Sequence, residues 1–107
     1  MAQHLIGHVE GTEISTVEEL QVIMEDVAEQ CSFNVVAKAF HQFEPYGATG
    51  VFVLAESHFS VHSYPEDEKV YVDVFCCSPT FDPMRCAKII ETSFMASRGS
   101  WQVVQRL

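Results

Sequence analysis

Positive charge is scarce in this chain: 6 lysines and arginines stand against 15 aspartates and glutamates, a formal charge of −9 over 107 residues. Such a field repels phosphate backbones, which argues against nucleic-acid partners and favours small cationic ligands. No apolar run approaches the roughly 20 residues of a membrane-spanning helix. No charged-then-apolar leader opens the sequence, so a cytoplasmic protein with no membrane partner is expected. There is no internal repeat, low-complexity tract or linker, and the expectation is a single domain over residues 1–107. Cysteine is confined to positions 31, 76, 77 and 86, which without a leader are expected as reduced thiols. Adjacent Cys76 and Cys77 point to opposite faces of a strand, and the Cys and His spacing fits no closed structural zinc site. No metal is expected.

What the chain does have is apolar material, 48% of its residues, enough for a core and too much for a disordered segment. A chain of this length buries roughly 65% of its unfolded surface. His4 to Glu10 reads as a first strand. Ser15 and Thr16, followed by Glu18 and Glu19, offer two candidate capping boxes. Leu20, Ile23, Met24, Val27 and Cys31 then recur at helical spacing, predicting a helix over about 16–31. Residues 34–43 are β-branched and aromatic, and Glu44-Pro45-Tyr46-Gly47 turns the chain. Strands are predicted at Thr49–Ala55, Phe59–Tyr64 and Lys69–Cys77, the last two joined by a turn at Pro65-Glu66-Asp67-Glu68. Val70, Val72, Val74 and Cys76 share one face of the last strand, and Tyr71, Asp73, Phe75 and Cys77 the other. Asp82-Pro83 reads as N-cap and first helical residue. Met84, Ala87, Ile90 and Phe94 form the stripe of a second helix closed by Gly99, and Trp101–Gln105 reads as a final strand.

The order βαββββαβ predicts an α+β domain, a mainly antiparallel sheet with two helices on one face. Phe, Tyr and Val occupy both parities of several strands, so the second face needs a cover. Two copies packed sheet on sheet, an αββα homodimer, provide one.

The chemistry concentrates in Glu56-Ser57-His58-Phe59-Ser60-Val61-His62 and in Cys76-Cys77, about twenty residues further on. A serine hydroxyl can attack the carbonyl before it when a tight junction and a base favour the shift. The ester so formed eliminates, and loss of ammonia leaves a pyruvoyl cap on the downstream chain. Singly, a serine between strands is a turn residue, a strand histidine a surface group, and Cys77 core filler. His4, His8 and His41 read as structural, and His58 as a local hydrogen-bonding residue.

Glu56-Ser57-His58, His62 and Cys77, with Phe40-His41-Gln42-Phe43-Glu44-Pro45-Tyr46-Gly47 upstream and Tyr64-Pro65-Glu66 downstream, resemble the bacterial S-adenosylmethionine decarboxylase proenzyme family. The resemblance runs in register from about His4 to Pro83. It implies an αββα dimer, and self-cleavage between Glu56 and Ser57 into a β chain of residues 1–56 and an α chain of residues 57–107. Ser57 becomes the pyruvoyl precursor and Schiff-base carbonyl, His62 the processing base, and Cys77 the proton donor. Thr49 stands where the family usually has a processing serine. Phe43 and Tyr64 fall at the positions that stack adenine, and Glu66 at the ribose-binding carboxylate; the family often has tryptophan in place of Tyr64. The cofactor implied is the self-derived pyruvoyl group, with no metal and no pyridoxal phosphate. The product is the aminopropyl donor for spermidine synthesis. Gly7-His8-Val9-Glu10-Gly11 departs from the family pattern, which bears on the substrate. A pyruvoyl-dependent decarboxylase of free arginine or ornithine, and a relative that binds ligand without maturing, are the alternatives.

Overall fold

The structure, a computed structural model, describes residues 2–106. Six strands and two helices follow one another as β1 (Ala2–Glu10), α1 (Val17–Gln30), β2 (Val35–Gln42), β3 (Ala48–Leu54), β4 (Ser57–Tyr64), β5 (Lys69–Cys76), α2 (Pro83–Ser93) and β6 (Arg98–Arg106). A single 3-10 turn, Pro65–Asp67, joins β4 to β5. The strands form one sheet in the order β2-β3-β4-β5-β1-β6, antiparallel at every pairing. Both helices lie on the same face of it. This is the α+β arrangement expected of the sequence.

Local chemistry explains the elements. Of the two candidate capping boxes, the one used is Thr16–Glu19: the Thr16 hydroxyl accepts the Glu19 N–H at 3.1 Å, and the Glu19 carboxylate accepts the Thr16 N–H at 3.0 Å. Glu19 also accepts the Ser15 N–H, and these bonds to the charged form hold its carboxyl below the usual carboxylate range. Asp82 caps α2 by accepting the Arg85 N–H at 3.1 Å, with Pro83 in the first turn. Leu20, Met24 and Val27 of α1, Ala87 and Ile90 of α2 and its C-cap Phe94 are buried against Leu5, Val9, Phe52, Phe59, Val61, Val70 and Val74 of the sheet. The close approach of α1 depends on Gly50: a Cβ there would meet Met24 Sδ at 2.6 Å.

Several boundaries depart from the sequence expectation. Gly99 does not close α2. The helix ends at Ser93, and Met95 takes the left-handed conformation (φ 53°). The Ala96 N–H bonds to the Glu91 carbonyl and the Met95 N–H to the Thr92 carbonyl, a Schellman motif with methionine in the usual glycine position. Gly99 lies instead within β6. Met84 is exposed rather than part of the stripe, because Cys86, four residues before Ile90, takes that row. β1 and β6 are longer than predicted. Cys77 falls just beyond the end of β5, and Ser57 is the first residue of β4 rather than a residue before it.

Candidate active site

Leu54 pairs with Ser57, leaving Ala55 and Glu56 as a two-residue turn between β3 and β4. Neither turn residue has positive φ, so this is not one of the primed turns that match strand twist. The Glu56–Ser57 bond therefore lies where turn becomes strand. β4 pairs with β5 so that His58 stands opposite Phe75, which brings Cys77 beside the turn.

Cys77 contacts both sides of this bond. Its backbone N–H donates to Ser57 Oγ at 3.2 Å, and its thiol donates to the Glu56 carbonyl oxygen at 3.5 Å. The hydroxyl oxygen and the preceding carbonyl are thus held by one residue. A cleft of about 850 Å³ opens beside them, lined by Glu56, Ser57, Cys77 and Arg85 and, toward the helix ends, by Cys31 and Cys86.

The structure does not bring His62 to this place. Five residues of strand separate it from Ser57, roughly 17 Å at about 3.4 Å per residue. The two also differ in parity: Phe59, Val61 and Ser63 face the helices with Ser57, while His62 and Tyr64 are exposed on the outer face. His62 instead meets Thr49 across the β3–β4 ladder, Nδ1 to Oγ1 at 2.9 Å. Around this pair a second cleft of about 300 Å³ is lined by Phe43, Tyr46, Tyr64 and Glu66. All three residues expected to bind substrate therefore lie with the two expected to assist processing. The six residues singled out beside Glu56 and Ser57 fall into two groups at opposite ends of β4, Cys77 at one and five at the other.

Sequence reasoning placed the turn at Gly47 but missed the roles of Gln42 and Ser63 beside the second cleft. Gln42 fixes its loop: its side-chain amide donates to the carbonyls of Ser15, Phe43 and Gly47, while its oxygen accepts the Val17 N–H. Gly47 adopts φ 104°, a conformation that asks for glycine. Buried Ser63 accepts the Ala48 N–H and donates to the Ala48 carbonyl, tying the strands beside Thr49 and His62. A polar residue with the parity of the core was the available signal for Ser63; Gln42 lies in the segment 40–47 that carries the family resemblance, but its side-chain bonds were not legible there.

The outer face of the sheet carries a further cluster. His4 Nε2 bonds Asp73 Oδ1, and His58 stacks on Phe75 beside them. Among the described residues, His4, His58 and Asp73 form one group with three metal-ligating atoms within 4.8 Å of one another. The structure thus gives His4 and His58 partners that the sequence did not identify.

The chain is similar to known proteins in both sequence and fold. A sequence model of the S-adenosylmethionine decarboxylase family matches residues 3–107. An S-adenosylmethionine decarboxylase proenzyme of Clostridium botulinum (strain Hall) is 33% identical over 95 residues, covering 86% of this chain and 82% of its own. That of Symbiobacterium thermophilum is 44% identical over 70 residues, covering 65% of this chain and 53% of its own. The crystal structure of the adenosylmethionine decarboxylase of Aquifex aeolicus VF5 superposes with a TM-score of 0.89 at 29% identity, covering 99% of this chain and 90% of that one. With a family match over almost its whole length, and that fold, the chain belongs to the S-adenosylmethionine decarboxylase family.

Proposed function

We propose that this chain is the proenzyme of a pyruvoyl-dependent S-adenosylmethionine decarboxylase, a carboxy-lyase that cleaves itself between Glu56 and Ser57. The observation that carries this reading is the double contact of Cys77 with the junction. An N–H on Ser57 Oγ favours the oxygen as it gains negative charge. A donor on the Glu56 carbonyl favours the oxyanion that forms as the hydroxyl attacks. Attack makes the C–O bond and breaks the C–N bond, giving an ester. Removal of the Ser57 α-proton then expels the Glu56 carboxylate and leaves dehydroalanine on residues 57–107. Tautomerisation and hydrolysis replace its nitrogen, released as ammonia, with the pyruvoyl oxygen.

The base for these steps is the Thr49–His62 pair, which in its own chain lies too far from Ser57 to act. We infer that it acts across a homodimer. Two outer sheet faces stacked about a twofold axis that runs across the strands set the Ser57 end of one β4 over the Tyr64 end of the other. The junction of one protomer then meets His62 of the partner subunit, and Ser57 and Cys77 share a site with the second cleft. Exposed Ile6, Val53, Tyr64 and Tyr71 supply apolar surface on the faces so covered.

The site suits the cofactor: Ser57 becomes the first residue of the downstream chain, beside the larger cleft. The pyruvoyl group supplies a carbonyl that draws off the electrons released when carbon dioxide leaves the substrate. Cys77 Sγ, a hydrogen-bond donor here, holds the proton that the substrate's α-carbon takes up. Phe43 and Tyr64 offer ring faces to adenine, and Glu66 a carboxylate to the ribose hydroxyls. The acidic surface suits a sulfonium substrate. The product is decarboxylated S-adenosylmethionine, the aminopropyl donor for spermidine synthesis, made in the cytoplasm.

Intact mass followed over time tests the reading. The wild-type chain gives two polypeptides of 56 and 51 residues, the smaller without a free α-amine, and Ser57→Ala stays whole. A wild-type chain that remains uncleaved after prolonged incubation sinks the proposal. Carbon dioxide release measured on S-adenosylmethionine, arginine and ornithine side by side then decides the substrate.

A further inference from the structure

Two cysteines with no part in the maturation chemistry meet in the same cleft. Cys31 is the C-cap of α1 and Cys86 lies in the first turn of α2, their sulfurs 3.5 Å apart. Cys31 is partly exposed; Cys86 is 2% exposed. The hydrogen bond between Cys31 Sγ and Cys86 Sγ, helped by the Arg85 guanidinium, holds the Cys31 thiol below its usual range against the opposing effect of burial. That same hydrogen bond, with burial, pushes Cys86 up. A solvent-accessible thiol of lowered pKa beside a buried thiol has the arrangement of an attacking and a resolving cysteine.

We propose that Cys31 and Cys86 are a site of reversible oxidation by hydroperoxides, closing a disulfide between α1 and α2 on the wall of the Ser57 cleft. The Cys31 thiolate attacks one oxygen of hydrogen peroxide. The O–O bond breaks, hydroxide leaves, and the sulfur becomes a sulfenic acid. Cys86 then attacks that sulfur, its proton passing to the departing hydroxyl. The S–S bond forms, the S–O bond breaks, and water leaves. Two thiols and one peroxide yield one disulfide and two waters, the sulfurs giving up two electrons. The sulfurs must close from 3.5 Å to about 2.05 Å. Both lie at helix termini, where a terminal turn yields more readily than a helix interior. One consequence rests on the maturation reading: Cys31 belongs to residues 1–56 and Cys86 to residues 57–107, so oxidation ties the two cleaved chains together.

Trypsin separates the cysteines, placing Cys31 in peptide 1–38, Cys76 and Cys77 in 70–85, and Cys86 in 86–88. The whole protein is treated with hydrogen peroxide, its free thiols are alkylated, and the digest is read by mass spectrometry without reduction. The expected result is peptide 1–38 joined to 86–88, two hydrogens lighter than their sum. The pair should be lost with dithiothreitol and absent from Cys31→Ser. A rise in melting temperature on oxidation, reversed by dithiothreitol and missing in Cys31→Ser, is the second readout. Thiols that stay reduced, Cys31 oxidised without a crosslink, or a crosslink through peptide 70–85 overturns the proposal. Peptide 39–69 reports cleavage at Glu56–Ser57 in the same digest, so failure of the disulfide and failure of maturation are told apart.

Discussion

Cys77 touches the scissile junction through two different atoms, and substitution separates them. Cys77→Ala removes the thiol donor from the Glu56 carbonyl but leaves the backbone N–H on Ser57 Oγ. A strong oxyanion donor is worth on the order of 10²–10³ in rate, whereas a thiol is a weak one. Self-cleavage of Cys77→Ala should therefore slow by roughly tenfold rather than stop, and Cys77→Ser should recover part of the loss. A time course of intact mass reads both; cleavage at the wild-type rate in Cys77→Ala would remove the thiol from this step. Part of this contact was legible in the sequence. A turn after Tyr64 folds β5 back along β4, so a twenty-residue separation returns the chain to its starting end. The position of His62 was legible too, had the strand been counted: five residues apart on a strand means opposite faces and opposite ends. That separation holds within one chain, and the proposed pairing of His62 with Ser57 is between two copies.

At the scale of elements, the helices show where sequence signals suffice. Thr16, Glu19 and Asp82 marked the starts of α1 and α2 because side-chain caps are written in residue type and spacing. The ends were harder, since both Schellman motifs place ordinary residues in the left-handed position: Ser32 at φ 58° after α1 and Met95 at φ 53° after α2. Met95→Gly should stabilise the fold by about 0.5–1 kcal/mol, the cost of a Cβ in that conformation less glycine's greater freedom when unfolded. The side chain is 84% exposed, so little packing is lost. Denaturant unfolding measures the change; destabilisation would mean that the left-handed backbone costs less than the freedom glycine loses. The cap of α1 also carries a pH dependence. Glu19 has a folded pKa below its ordinary value, so its contribution is complete above the usual carboxylate range and drains away as pH falls through the lowered value. Glu19→Gln should flatten that acid limb of stability, as read by melting temperature against pH. An unchanged acid limb would locate the titration in other carboxylates.

At the scale of the whole molecule, a single chain supplies every proposed residue yet leaves them at two ends of one strand. The sequence predicted a sheet-on-sheet dimer from apolar residues at both parities, and the exposed Ile6, Val53, Tyr64 and Tyr71 are the same signal in three dimensions. No pattern along one chain can write the register between two copies, so the division of the site emerged only with the fold. Its test is complementation. Ser57→Ala lacks the nucleophile and His62→Ala lacks the base, so neither variant should cleave alone. Co-expressed, they form mixed dimers in which the intact Ser57 of a His62→Ala chain faces the His62 of its Ser57→Ala partner. Random pairing then predicts cleavage of roughly half of the His62→Ala chains and none of the Ser57→Ala chains. Intact mass distinguishes the two chains by their substitutions. If His62 acted within its own chain, no mixture would cleave, because each chain would lack a residue that no partner could supply.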